Sequence, residues 1–131
     1  NRFETDFINI CKDAIRMVKD VGSKMLKIHL DSFHMGIEEK NSAMAVLDAG
    51  DLLYLFHASE TDRGAQGTGQ VHWKSIADAL RRINYNKWVV IESFTPENKV
   101  IAKAASIWRQ TEKSDFVLVE KGLKYLKGLF S

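Results

Sequence analysis

Apolar residues recur at helical spacing early in the chain, where Phe7, Cys11, Ile15 and Val18 fall on one stripe. Asp6 offers an N-capping side chain and Gly22 a stop, so the stripe predicts a first helix. The period then falls to two. Met25 to Asp31 reads as a strand with Leu26, Ile28 and Leu30 on one face and Lys27, His29 and Asp31 on the other. A short helix is expected over Ser42 to Leu47, ending before Gly50, and a second strand over Leu52 to His57 with Leu53, Leu55 and His57 sharing a face. A loop with Gly64, Gly67 and Gly69 follows. Trp73 to Ile83 predicts a helix with Ile76, Ala77, Leu80 and Ile83 on its buried side. A third strand is expected at Trp88 to Glu92, with Trp88, Val90 and Glu92 on one face and Pro96 just beyond it. Two helices, near Val100 to Arg109 and Asp115 to Phe130, complete the pattern.

Alternating strands and helices specify an α/β fold built from parallel βαβ units. Right-handed crossovers place the helices on one side of a curving sheet. All three strands end in a residue able to bind a metal: Asp31, His57 and Glu92. In a parallel sheet these side chains emerge at the same end, which in a (β/α)8 barrel is the active-site face. Their separations, 26 and 35 residues, suit one βα unit each. A single Asp, His or Glu at a strand end is more often a cap or a loop hydrogen-bonder. Three at equivalent ends of consecutive strands favour a site. Two carboxylates and an imidazole leave open coordination positions and suit Mn²⁺, Mg²⁺ or Co²⁺ better than a closed structural zinc site. An ion held there could polarise a carbonyl, and a carboxylate beside it could remove the adjacent proton.

Composition narrows the setting. The 131 residues are one domain's worth, and 45% hydrophobic with 27% charged is ordinary for a globular chain. Nineteen basic against 17 acidic residues give a net charge of +2, too even to argue for nucleic acid or an anionic membrane. No apolar run reaches the length of a membrane span, and no signal peptide opens the chain. The lone Cys11 excludes an intramolecular disulfide framework and fits a reducing, cytoplasmic location. The start at Asn1, without Met, reads as a cut.

The runs Leu30-Asp31-Ser32-Phe33-His34-Met35 with Ile37-Glu38-Glu39, Asn1-Arg2-Phe3-Glu4, and Phe56-His57 with Glu60, Arg63, Gly67, Gly69 and Trp73 closely resemble the ketose 3-epimerases. That group comprises the D-tagatose, D-psicose and L-ribulose 3-epimerases, sugar isomerases with a xylose-isomerase-like barrel. Arg82-Ile83-Asn84-Tyr85, Val89-Val90-Ile91-Glu92-Ser93-Phe94 and Ile107-Trp108-Arg109 extend the resemblance over nearly the whole chain. It implies that residues 1–131 are the C-terminal half of one (β/α)8 TIM barrel, three parallel strands with flanking helices. It also implies that Asp31, His57 and Glu92 ligate a divalent metal, usually Mn²⁺, and that Glu92 is one of two acid/base carboxylates. Glu4, His34 and Arg63 are implied to hold oxygens of a ketose. The implied reaction removes the C3 proton, passes through a cis-enediolate and returns a proton on the opposite face. The second carboxylate, also the fourth ligand, is implied to precede Asn1. A full barrel runs about 250 residues, so this chain is expected to leave open sheet edges and to associate with a second copy or with the missing half.

The sequence departs from the group at Ser93, where many members have proline, and at Gly36, where asparagine is common. Ala65-Gln66 replaces a proline-containing stretch, and His72 stands where aspartate would cap a helix. These changes bear on substrate identity more than on metal binding. A ketose–aldose isomerase of the same superfamily, a barrel nuclease of the apurinic endonuclease type, and a half-barrel that only self-associates or binds metal remain as other readings; the small net charge disfavours the nuclease. Several residues have plainer roles. His29 is read as a barrel-layer residue, Cys11 as an inert core thiol, Asp48 and Asp51 as turn residues, and Trp73, Trp108 and Phe116 as packing between helices and sheet or partner.

Overall fold

A computed structural model describes residues 1–131. Three strands, β1 (Ile28–Asp31), β2 (Leu53–Ala58) and β3 (Trp88–Ile91), form one sheet in the order β1-β2-β3. Both pairings are parallel. The helices are α1 (Cys11–Val21), α2 (Ser32–Glu38), α3 (Ser42–Ala49), α4 (Trp73–Arg82), α5 (Lys99–Ala104) and α6 (Asp115–Phe130), with a 3-10 turn at Gly50–Leu52. No helix is long and apolar enough to cross a membrane. The alternation of strands and helices is as expected from the period changes.

The core lies between the sheet and its helices. Ile28, Leu30, Leu53 and Phe56 meet Val46 of α3 and Ile76 and Leu80 of α4, all buried. Burying one such side chain contributes about 1.5–3 kcal/mol. The partition of β2 differs from simple alternation. The register slips between Ile28 and His29, which pair with Leu53 and Leu55 respectively, so Tyr54 is an extra residue in the ladder. Leu53 therefore joins Phe56 in the core instead of sharing a face with Leu55 and His57. Tyr54 is left 58% exposed.

Element ends differ where a distant partner intervenes. The first helix starts at Cys11, not near Asp6, because Glu39 accepts the Cys11 N–H at 2.6 Å and caps the helix from α2. Phe7 lies before that start and is exposed. Helix α2 has no counterpart in the apolar pattern; it begins directly off β1 because Asp31 caps it. Helix α5 stops at Ala104, five residues earlier than its pattern suggests. Ser106 takes φ 56 and folds the Ile107 N–H back to Ala102 O at 2.8 Å. His72 gives α4 no side-chain cap, as its residue type implies. Trp73 is buried as its packing role requires, whereas Trp108 and Phe116 are largely exposed in this chain.

The glycine loop and α6 touch closely. Gly67 has φ 87, and a Cβ there would meet the Tyr125 ring at 2.5 Å. A Cβ on Gly122 of α6 would run into the Gln66 side-chain oxygen. Gln66 is buried and donates to Ala58 O at 2.8 Å and to Ser93 Oγ at 3.1 Å, while Ser93 donates to Gly64 O at 2.9 Å. The two departures at Gln66 and Ser93 are thus one hydrogen-bonded unit joining the loop to the ends of β2 and β3.

Gly67→Ala is expected to lower stability by more than about 1 kcal/mol, from the left-handed backbone and the Tyr125 contact together; urea melts of both proteins measure it. Cys11 is buried, its thiol donates to Ala45 O at 3.3 Å, and burial pushes its pKa from 9.0 to about 12. The fold therefore favours the neutral thiol. That contribution is complete below pH 9 and is lost as pH rises from there toward 12. A thiol reagent at pH 8 is expected to leave Cys11 unmodified in the native chain and to label it in denaturant.

Candidate metal and substrate site

Asp31 is the last residue of β1 and the first cap of α2. Its Oδ1 accepts the N–H groups of Phe33 at 2.7 Å and His34 at 3.2 Å. That leaves Oδ2 free, buried and without a hydrogen-bond partner. Register sets His57 beside Asp31 and Val90 beside His57. Glu92 prolongs the ladder one step past β3 by donating its N–H to Ala58 O at 3.0 Å. The three strand ends thus converge. His57 Nδ1 lies 3.7 Å from Asp31 Oδ2 and 3.4 Å from Glu92 Oε1, and it too is buried with no hydrogen bond.

Two orphaned donor atoms facing one another, with a second carboxylate in reach, are what a divalent cation would satisfy. The residues present fit such an ion. Ligand atoms of Asp31, His34 and Glu92 also come within 4.8 Å of one another, so two imidazoles border the same space. A cavity of about 290 Å³ opens here, lined by Asp31, His34, His57 and Glu92 together with Asn1 and Cys11.

Electrostatics reflects the crowding. Burial, then the neighbouring Glu92 carboxylate, holds the Asp31 carboxyl well above the usual carboxylate range. Burial also pushes Glu92 up, but the adjoining Asp31 carboxyl and the Arg63 charge outweigh it and leave Glu92 low. Burial lowers His34, opposed by Glu4 and assisted by Arg63. Burial, then His57, lowers His29, whose ring packs edge-on to His57 at 4.1 Å between centroids. His29 thus lies one layer below the site, on the inner face.

Arg63 is buried and reaches the same carboxylates. Its Nη1 contacts Glu92 Oε2, donates to Ser59 Oγ at 2.9 Å and lies 3.8 Å from Asp31 Oδ2. Its guanidinium sits over the Phe33 ring at 3.7 Å and near that of Phe94 at 4.9 Å. The backbone there takes φ 61, a left-handed conformation uncommon for a side-chain-bearing residue. It is held by Arg63 N–H to Glu60 O and Phe94 N–H to Arg63 O, each 3.0 Å. Glu60, fully buried, ties down the rest of the loop by accepting from Gly67 N at 2.8 Å and Trp73 Nε1 at 2.6 Å. Gly69 must lack a Cβ because one would strike the Glu60 carboxylate.

Of the six residues singled out from sequence, Asp31, His34, His57, Arg63 and Glu92 come together. Glu4 is exposed and joins only through Asn1, whose amide donates to Glu4 Oε1 at 3.4 Å. Asn1, Phe33, Ser59 and Phe94 were not singled out as site residues. Asn1, Phe33 and Phe94 stand inside the motif runs; Ser59 carries no pattern signal, because its role follows from the path of the Arg63 loop.

Residues 1–111 match the family described as xylose isomerase-like TIM barrel. A D-psicose 3-epimerase from Enterocloster bolteae is 42% identical over 109 residues, 83% of this chain and 36% of the relative. A solved L-ribulose 3-epimerase superposes with a TM-score of 0.93 at 31% identity, over 99% of this chain and 44% of the other. A D-allulose 3-epimerase from Methylomonas sp., solved in complex with D-allulose, gives 0.91 at 34% identity, over 98% and 45%. The chain therefore spans less than half the length of these relatives, and its three strands are part of a TIM barrel. By sequence and by fold, the chain belongs to the xylose isomerase-like TIM barrel family.

Proposed function

We propose that this chain carries most of the active site of a metal-dependent sugar epimerase that inverts C3 of a free ketose. The convergence of Asp31, His57 and Glu92, with two donor atoms left unpaired, is the observation that supports this reading most strongly. The epimerase relatives add weight, and the D-allulose complex of one of them points to a ketose.

Asp31, His57 and Glu92 would hold the ion, Mn²⁺ foremost, with Mg²⁺ or Co²⁺ as substitutes; when bound, it supplies polarisation of the sugar's carbonyl and adjacent oxygen. Glu92 takes the C3 proton, the C3–H electron pair moves into a C2–C3 enediolate, and a second carboxylate returns a proton to the other face. Glu92 suits the base by position, at the end of β3 with its carboxylate held between His57 and Arg63. His34 and Arg63 hold sugar oxygens, with Glu4 at the rim. The second carboxylate comes from outside this chain, so the catalytic unit is a completed barrel. The outer edges of β1 and β3 carry no partner strand and suit that completion.

The test is Mn²⁺ titration by calorimetry on the chain and on Glu92→Gln, followed by turnover of D-fructose, D-tagatose and L-ribulose in a barrel completed by upstream strands. Stoichiometric binding weakened at least about tenfold by Glu92→Gln is expected, since even residues behind the ligands cost that much. Equal binding by the two proteins would remove Glu92 from the ligand set. Binding without turnover of any ketose would reduce the chain to a metal-holding half-barrel.

A further inference from the structure

His34 and His57 both face the space between Asp31 and Glu92, yet only His57 has an unpaired nitrogen there. The difference traces to Asn1, which is buried. Its Oδ1 accepts the Phe3 N–H at 2.9 Å, and this fixes which way the amide faces. The amide nitrogen is therefore the group turned toward His34, 2.9 Å from Nδ1. An amide nitrogen only donates, so Nδ1 must offer its lone pair.

The other side of the ring has the opposite problem. Arg63 Nη2, also only a donor, stands 3.5 Å from His34 Nε2. A neutral imidazole has one accepting nitrogen, and two donors compete for it. The contact at 2.9 Å is a full hydrogen bond, whereas 3.5 Å is at the limit of one. Nδ1 accepts, and Nε2 carries the hydrogen. His34 Nε2–H and the Arg63 guanidinium then present donors to the same space with no acceptor between them.

We propose that Asn1 is a positioning residue: its amide locks His34 as the Nε2–H tautomer, which bars His34 from the metal and makes it, with Arg63, a paired donor for one oxygen of the sugar. A protonated Nε2 has no lone pair for an ion, so of the two imidazoles His57 alone is a ligand. The donor pair recognises a hydroxyl or carbonyl oxygen that offers two lone pairs, and it offers nothing to a donor-only group. The assignment of that oxygen to a ketose rests on the function proposed above; the tautomer does not.

The experiment is ¹⁵N imidazole spectroscopy on the metal-free chain, in which the pattern of two-bond couplings separates the two tautomers. The α-amine is acetylated in every sample, so that only the side chain changes. The His34 signals are identified by their loss in His34→Gln. The parent is expected to show Nε2 protonated and Nδ1 bare. Asn1→Asp puts a carboxylate where the donor was, and the Nδ1-protonated forms should gain by about tenfold or more. Asn1→Ala, which removes the donor without adding an acceptor, should leave a mixture. A parent already protonated at Nδ1, or an Asn1→Asp spectrum identical to the parent's, would overturn the proposal. In a completed barrel, Asn1→Asp should raise KM for the ketose more than it lowers kcat. The expected tautomers without turnover of any ketose would instead sink the epimerase reading and leave the role of Asn1 standing.

Discussion

The two oxygens of Asp31 do different work, and the site depends on that division. One oxygen takes the first free N–H groups of α2, so the chain turns from strand into helix with no loop between. The other oxygen is left buried and unpaired at the mouth of the sheet. Helix α2 then presents Phe33 beneath Arg63 and His34 beside it, and Glu39 at its end caps α1. A single carboxylate thereby sets the geometry of the pocket floor and leaves its second oxygen facing His57.

The ends of the three strands were legible because period-two alternation needs no tertiary information. Asp31, His57 and Glu92 stand where that pattern stops, and the parallel register brings them side by side. The helices α4 and α6 were legible for the same reason, each having a sustained apolar stripe. Helix α2 was not: seven residues are too few to show a period, and its stability comes from Asp31 and from packing. The start of α1 was misplaced because the apolar spacing continues back through Phe7, while the cap that ends it comes from Glu39, 28 residues away. The face of Leu53 was misassigned because one extra residue in the ladder reverses the alternation, and a bulge leaves no mark on the hydrophobic pattern.

Electrostatic balance shapes the remainder. Asp31 and Glu92 crowd together and Arg63 reaches both, which moderates a repulsion the fold would otherwise carry alone. Arg63 in turn needs an uncommon backbone conformation, held by Glu60, Phe94 and two aromatic rings. Glu60 is buried without a cation and is stabilised by N–H donors from the loop it organises. The loop is thus fixed from beneath by a carboxylate and held at its tip by a guanidinium.

The seat of α6 on Gln66 has a consequence for how the chain can change. Gly122 admits the Gln66 amide only because it has no side chain, and that amide bonds the ends of β2 and β3 together. Position 122 and position 66 are therefore not free to drift separately. A larger residue in the terminal helix would have to be answered by a smaller one in the loop, and Ser93 would then lose the amide that bonds it. A stretch far along the chain from the strand ends that meet at the pocket is in this way tied by shape to their spacing, and its substitutions should arrive in matched sets.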